Sequence, residues 1–375
     1  MKKLLFTLLI STAFISQSCI SNNEDPIAVA PVEGAIGDPI VGGATQPNQV
    51  WIDLSEVDPL SKKPRQTLTK RTDWDLALYS GNEFKVIVNS SIMMAAAKIP
   101  NVTELSEVNQ STVATLKTQV QVANFKEANT VYIDDVKGDF PAGYTAISEI
   151  KATSTENGIY LINMGKDIYK GNVPVGSVTT GGDERGWKKV QITRAGEGYK
   201  VKSANIDGSD YYEVTVSKNA AYNYSFVSLA NKKGVFIQPE KNKWDICFTV
   251  FTNTIAGAGS YIYADFVNNN NVGGVGVYEV IVPGTASGLD AYNNFKISDV
   301  QQSKFVYNDH RVIGGNWRNP VGTNGPEVYG DRFYILKDSD GYTFKLKFTR
   351  LTKSTTDDMG VAGERGFPQF EYAPL

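Results

Sequence analysis

The stretch Thr72-Asp73-Trp74-Asp75-Leu76-Ala77-Leu78-Tyr79 returns, altered, as Lys243-Trp244-Asp245-Ile246-Cys247-Phe248-Thr249, with the two tryptophans 170 residues apart. In both, a Trp-Asp step leads into alternating apolar residues, the period of a strand with one face buried. Upstream, Val50-Trp51-Ile52-Asp53-Leu54-Ser55 matches Tyr224-Ser225-Phe226-Val227-Ser228-Leu229 at nearly the same offset. Self-similarity at a fixed spacing points to a duplicated β-domain. The first copy is expected over residues 48–216 and the second over 220–375, with the junction near Ser217 to Tyr222.

Strand signals dominate the remainder. Phe84-Lys85-Val86-Ile87-Val88, Tyr211-Tyr212-Glu213-Val214-Thr215-Val216 and Tyr342-Thr343-Phe344-Lys345-Leu346-Lys347-Phe348 alternate apolar with polar or charged residues. Such strands belong to antiparallel sheets covered on one side. Two hairpins can be read directly. Asp338-Ser339-Asp340-Gly341 joins Phe333–Lys337 to Thr343–Lys347, and Arg194-Ala195-Gly196-Glu197-Gly198 joins Val190–Thr193 to Tyr199–Lys202. Asp-Gly tolerates the positive φ that a tight turn needs. Helical periodicity is confined to a mixed signal between Val102 and Lys126. The expected fold is therefore all-β and mostly antiparallel, in two tandem domains with at most minor helix.

The N-terminus carries Lys2 and Lys3 and then a mostly apolar run from Leu4 to Ile15, the pattern of a secretory signal. That run is too short to span a bilayer. It ends in Ile15-Ser16-Gln17-Ser18-Cys19, so residues 1–18 read as a lipoprotein signal peptide and Cys19 as the lipidated mature N-terminus. Residues 19–47 are polar and acidic, then rich in Pro, Gly, Ala and Val, the composition of a flexible tether. Acidic residues directly behind a lipidated cysteine resemble the export signal of lipoproteins displayed on the outer face of some Gram-negative cells. The expected location is the outer membrane, held by the lipid anchor at the cell surface.

The net charge is −3, with 37 Lys and Arg against 40 Asp and Glu, and no basic cluster is long enough to track phosphates. Nucleic acid is thus a disfavoured partner. Besides Cys19 the only cysteine is Cys247, so neither a disulfide framework nor a cysteine metal site is available.

The Trp-Asp strand, a strand ending at Asn89, a small-residue loop, the Asp-Gly hairpin at 333–341 and the closing Phe370-Glu371-Tyr372 together resemble the HmuY family. Residues 222–375 match the family's order best and 48–216 match it more loosely. The resemblance implies two HmuY-like, mostly β-stranded domains, lipid-anchored in a Gram-negative envelope. It also implies binding of haem, or a related planar apolar ligand, for delivery to an outer-membrane receptor. Family members grip haem iron with two axial His or Met side chains carried between the Trp-Asp strand and the final hairpin. Here the second copy offers His310 and no methionine, with Asn324 where a family histidine precedes Gly-Pro, and the first copy offers Met93, Met94 and Met164. A matched axial pair is absent.

Each candidate has a plainer alternative. His310, the single histidine, is either an axial ligand or a polar residue between Asp309 and Arg311. Met93 and Met94 are either iron ligands or adaptable packing. Asp338–Gly341 lacks the later acidic ligands of a calcium loop and reads as a turn. Gly273-Gly274-Val275-Gly276 precedes no helix pattern and reads as a turn or bulge. Trp74 and Trp244 read as repeated packing anchors, with Trp51, Trp187 and Trp317 left open. No Gly-x-Ser-x-Gly elbow occurs, and His310 would be the only base for a triad, so an enzyme is not expected. A glycan- or protein-binding surface module on the same scaffold is the alternative function, and a hydrolase built on paired carboxylates is a more distant one.

Overall fold

Alternation along the two Trp-Asp strands sets the layers. The computed structural model describes residues 34–283, 288–322, 325–353 and 363–375; the signal peptide, Cys19 and Asn324 lie outside these. Within them the protein is mostly antiparallel β-sheet with minor helix. Eight strands carry the argument: β1 (Asn48–Val57), β2 (Pro64–Lys70), β3 (Leu76–Tyr79), β4 (Val86–Val88), β5 (Tyr224–Ser228), β6 (Lys233–Val235), β7 (Ile246–Ile255) and β8 (Gly259–Asn269). They form two four-stranded sheets, ordered β6-β5-β3-β4 and β8-β7-β1-β2.

Each of these sheets draws strands from both halves of the sequence. The first Trp-Asp strand, β3, pairs with β5 of the later half, placing Ala77 opposite Phe226 and Leu76 opposite Val227. The second, β7, pairs with β1 of the earlier half, placing Cys247 opposite Trp51 and Ile246 opposite Ile52. The two segments 48–216 and 220–375 thus exchange their upstream hairpins reciprocally.

One face of each mixed sheet packs on a five-stranded sheet. Leu76, Leu78, Val86 and Val88 meet Ile162, Val190, Ile192 and Val201 from the sheet ordered 212–216, 198–205, 187–195, 159–163, 95–98. Val50, Ile52, Ile246 and Phe248 meet Leu336, Phe344, Leu346 and Phe370 from the sheet ordered 35–37, 364–374, 343–353, 332–337, 276–281. Full burial of one such side chain contributes roughly 1.5–3 kcal/mol, so the two cores dominate the stability. The opposite faces of the mixed sheets carry Trp51, Trp74, Ala77, Phe226, Trp244 and Cys247, and these pack on one another as a seam between the two sandwiches.

Three local expectations change. The part of the tether that is described is packed: Ala35–Gly37 pairs with Phe370–Tyr372, and Val41 and Gln46 are buried. Gly37 allows this because a Cβ there would stand 2.3 Å from the Phe370 ring. Between 102 and 126 the only α-helix is α1 (Gln110–Lys117), capped by Asn109, with Val113 as its one buried side chain. A second helix, α2 (Gly288–Asn294), arises where the sequence showed no helical period. Both hairpins form as read, with Gly196 at φ 58° and Gly341 at φ 94°.

Candidate functional site

The exchanged strands give the seam a local two-fold likeness. Trp244 meets Trp51 edge-on with centroids 4.8 Å apart, and Trp74 meets Phe226 in the same way at 5.1 Å. The Asp75 amide donates to the Val227 carbonyl, and the Asp245 amide to that of Ile52. The side-chain amide of Asn89 donates to the carbonyls of Arg71 and Trp74, and that of Asn270 to those of Lys241 and Trp244. The two halves then diverge chemically. Asp75 is ion-paired with Arg185 at 2.7 Å, both buried, whereas Asp245 has Asp53 as a charged neighbour. Burial first and Asp53 second push the Asp245 carboxyl well above its usual range.

The indole N–H groups diverge too. That of Trp51 donates to Thr69 Oγ1 at 3.1 Å and that of Trp74 to Gln49 Oε1 at 2.8 Å. Trp244 Nε1 is buried and has no hydrogen-bond partner among the described residues.

The seam holds a partly open cavity of about 100 Å³ lined by Trp51, Trp74, Trp244, Tyr224, Phe140 and His310, among others. A strap, Ile133 to Phe140, closes one side. It is pinned to the later half by His310 N–H to the Lys137 carbonyl (2.8 Å), the His310 Nε2 contact with the Val136 carbonyl (3.0 Å), and Asn271 Nδ2 to the Gly138 carbonyl (3.0 Å). It is pinned to the earlier half by Asp134, whose carboxylate accepts from the amides of Val88 and Ala146. Burial outweighs those bonds and pushes Asp134 up to about 7. With Nε2 facing a carbonyl, that nitrogen carries the proton and Nδ1 keeps the lone pair. Nδ1 lies against Gly138, where a Cβ would approach to 2.4 Å. Burial pulls the imidazole down to about 4 although Asp309 favours its cation, so His310 is neutral at pH 7.

The HmuY protein family matches residues 45–372, nearly the whole described chain. The protein belongs to the HmuY family. A search of curated proteins and one of solved structures give no match. Membership supports a ligand-binding protein of the haem-binding type and no catalytic function at the level of the family. The matched range takes in both halves, as does the strand exchange.

Of the ligand candidates in this HmuY-family chain, His310 and Met94 line the same cavity. Met164 is buried in the first core and Met93 ends a short 3-10 helix at φ 65°, both away from the cavity wall. Trp317 is buried and stacks on Phe348 at 4.3 Å, a packing role. Asp338 accepts from the amides of Asp340 and Tyr342, which makes it a turn residue. Among the described residues no group of three or more His, Cys, Asp or Glu side chains is placed to hold a metal ion, and no helix is long and apolar enough to cross a membrane. Sequence reading missed the strap and the amide-rich wall. The run Asn268-Asn269-Asn270-Asn271 after a strand was the visible signal for that wall.

Proposed function

We propose that the chain is a cell-surface lipoprotein that takes up haem, or a related planar apolar ligand, in the seam between its two sandwiches and passes it to an outer-membrane receptor. The observation that carries this reading is an aromatic chamber with the chain's single imidazole in its wall. Ligand sites are mostly apolar enclosures with a few convergent polar groups, and the seam has that composition. At about 100 Å³ the cavity is smaller than the roughly 300–1,000 Å³ of ordinary ligand pockets, so a porphyrin requires the seam to widen, and the strap is the segment across one side of it. His310, a neutral imidazole whose Nε2 faces the Val136 carbonyl, would be the side chain to hold the iron of a bound haem. Met94, fully buried in the same wall, would be the thioether available as a second ligand. Cys19 would carry the lipid anchor, and Cys19→Ala should release the protein from membranes and abolish fatty-acid labelling.

Titration of the mature protein with haemin tests the reading. A shifted, saturable Soret band is expected, and His310→Ala should weaken it by about tenfold or more, the loss of one strong ligand. A spectrum that stays that of free haemin at micromolar protein would overturn it and leave the glycan- or protein-binding module as the better account.

A further inference from the structure

The segment that leads into β1 crosses from one sandwich to the other. On the side of the second sandwich, Val41 enters the core, and Gln46, 1 % exposed, meets Asp265 of β8 through two hydrogen bonds. Gln46 Nε2 donates to Asp265 Oδ1, and the Asp265 amide donates to Gln46 Oε1 at 2.9 Å. Arg365 and Arg318 pair with Asp265 Oδ2. Both residues of this contact hold backbone conformations that L side chains rarely adopt, Gln46 at φ 44° and Asp265 at φ 50°. Asp265 falls where the pairing of β7 with β8 shifts register between Thr249 and Phe251, and a bulge of this kind re-aims a side chain.

On the side of the first sandwich the joint is a guanidinium. Arg71, fully buried, lies at the crossover from β2 to β3, between the two sandwiches. It donates to the carbonyls of Gln46 at 2.6 Å and Thr45 at 3.3 Å, both in the crossing segment. It also donates to the carbonyls of Ser91 and Thr180, in loops of the first sandwich. The Thr179 amide adds a bond to the Ala44 carbonyl at 3.1 Å. No carboxylate among the described residues offsets the burial of Arg71, which pulls the guanidinium down to about 9. Strained positions of this kind persist where the surrounding structure over-determines them, and they cluster at clamps and switch segments.

We infer that residues 38–47 are a latch across the two sandwiches, and that the seam widens when Arg71 parts from the carbonyls it bridges. A guanidinium spans both sets of carbonyls only at hydrogen-bond distance, so separating the sandwiches here by more than about 1 Å breaks the joint. The joint also reaches the cavity directly. Asn89 Nδ2 donates to the carbonyls of both Arg71 and Trp74, and Trp74 lines the cavity, as does Ser90 beside Ser91. The inference rests on the seam being the ligand chamber but not on haem as its ligand.

Hydrogen exchange of the full mature protein, read by mass spectrometry without ligand, tests it in two variants. Gln46→Ala removes the side-chain contact with Asp265, and Arg71→Lys keeps the charge but cannot span four carbonyls. Exchange in residues 89–94 and 133–140 should rise about tenfold or more in both, the factor for losing one or two hydrogen bonds that hold a unit shut. The outer strands 159–163 and 343–353 should keep the parent's protection. Gln46→Ala, the milder change, carries the test if Arg71→Lys does not fold. Haemin uptake followed at the Soret band should quicken by a similar factor. Parent-like exchange in 89–94 and 133–140, or a rise spread evenly through the outer strands, would overturn the inference. If exchange rises as expected while haemin stays free, the haem reading falls and the latch stands. If haemin binds but exchange and uptake match the parent's, the reverse holds.

Discussion

Two residues that pin the strap titrate in opposite senses. The imidazole of His310 is held down at about 4 by burial, below its usual 6.5, so the folded protein binds its proton more weakly than the unfolded chain does. That contribution to stability is complete above about pH 6.5 and is lost as pH falls towards 4, at no more than about 1.4 kcal/mol per pH unit. Asp134 is pushed up to about 7 from 3.8, so its folded form prefers the proton, and stability from this group rises as pH falls across the same window. The two slopes offset one another in the parent. His310→Gln should therefore steepen the gain in stability on going from pH 7 to 4, and Asp134→Asn should expose a loss. Chemical denaturation at several pH values checks both; variant profiles parallel to the parent's would contradict the assignment. The duplicated aspartates make a second residue-scale test. Asp75→Asn removes the shorter of the two carboxylate partners of the buried Arg185, leaving Asp167 at 3.6 Å, and should cost about 3 kcal/mol, whereas Asp245→Asn replaces a carboxyl that burial pushes well above its usual range and should cost less. Equal losses would show that the halves are equivalent at this position. The Trp-Asp pair was legible in the sequence, but the divergence was not, because Arg185 lies 110 positions from Asp75 and nothing in its local context marks it as a partner.

At the scale of elements, turns and alternation were the legible features because both are local. Gly341 sits at φ 94°, and a Cβ there would meet nothing within 4 Å, so Gly341→Val is a test of backbone conformation alone. It should cost about 1 kcal/mol, more for the β-branch, and lower the melting temperature by about 2–4 °C. Gly165, at φ 70°, adds a collision, since its Cβ would stand 1.9 Å from the Ile92 carbonyl oxygen. Gly165→Ala should be the more damaging of the two although alanine is the smaller side chain; the reverse order in calorimetry would contradict the placement of both. The strand 35–37 and the packed segment up to 47 were not legible, since their partners lie in the C-terminal strand and their Pro- and Gly-rich composition gives no period. The strap was hidden for the same reason. Much of its placement comes from partners distant in sequence, namely His310, Asn271, Val88 and Ala146.

At the scale of the whole molecule, the repeated Trp-Asp pattern in the sequence suggests two similar units, but it carries no information about which unit a given hairpin joins. Reciprocal exchange of β1–β2 and β5–β6 makes each sandwich depend on both segments, and the seam exists only because they meet. Cleavage at a protease site inserted after Asn219, in the exposed link between the halves, should leave two fragments that stay together on gel filtration and melt as one. Spontaneous separation into fragments that each unfold cooperatively would show two independent units instead. The central claim, that this seam is where the ligand goes, is tested most directly by hydrogen exchange read by mass spectrometry with and without saturating haemin. Exchange should change at the strap, residues 133–140, and at 307–311 around His310, with the outer five-stranded sheets unaltered. Saturation of the Soret band with no change in those two segments, or with changes confined to α2, would contradict the account.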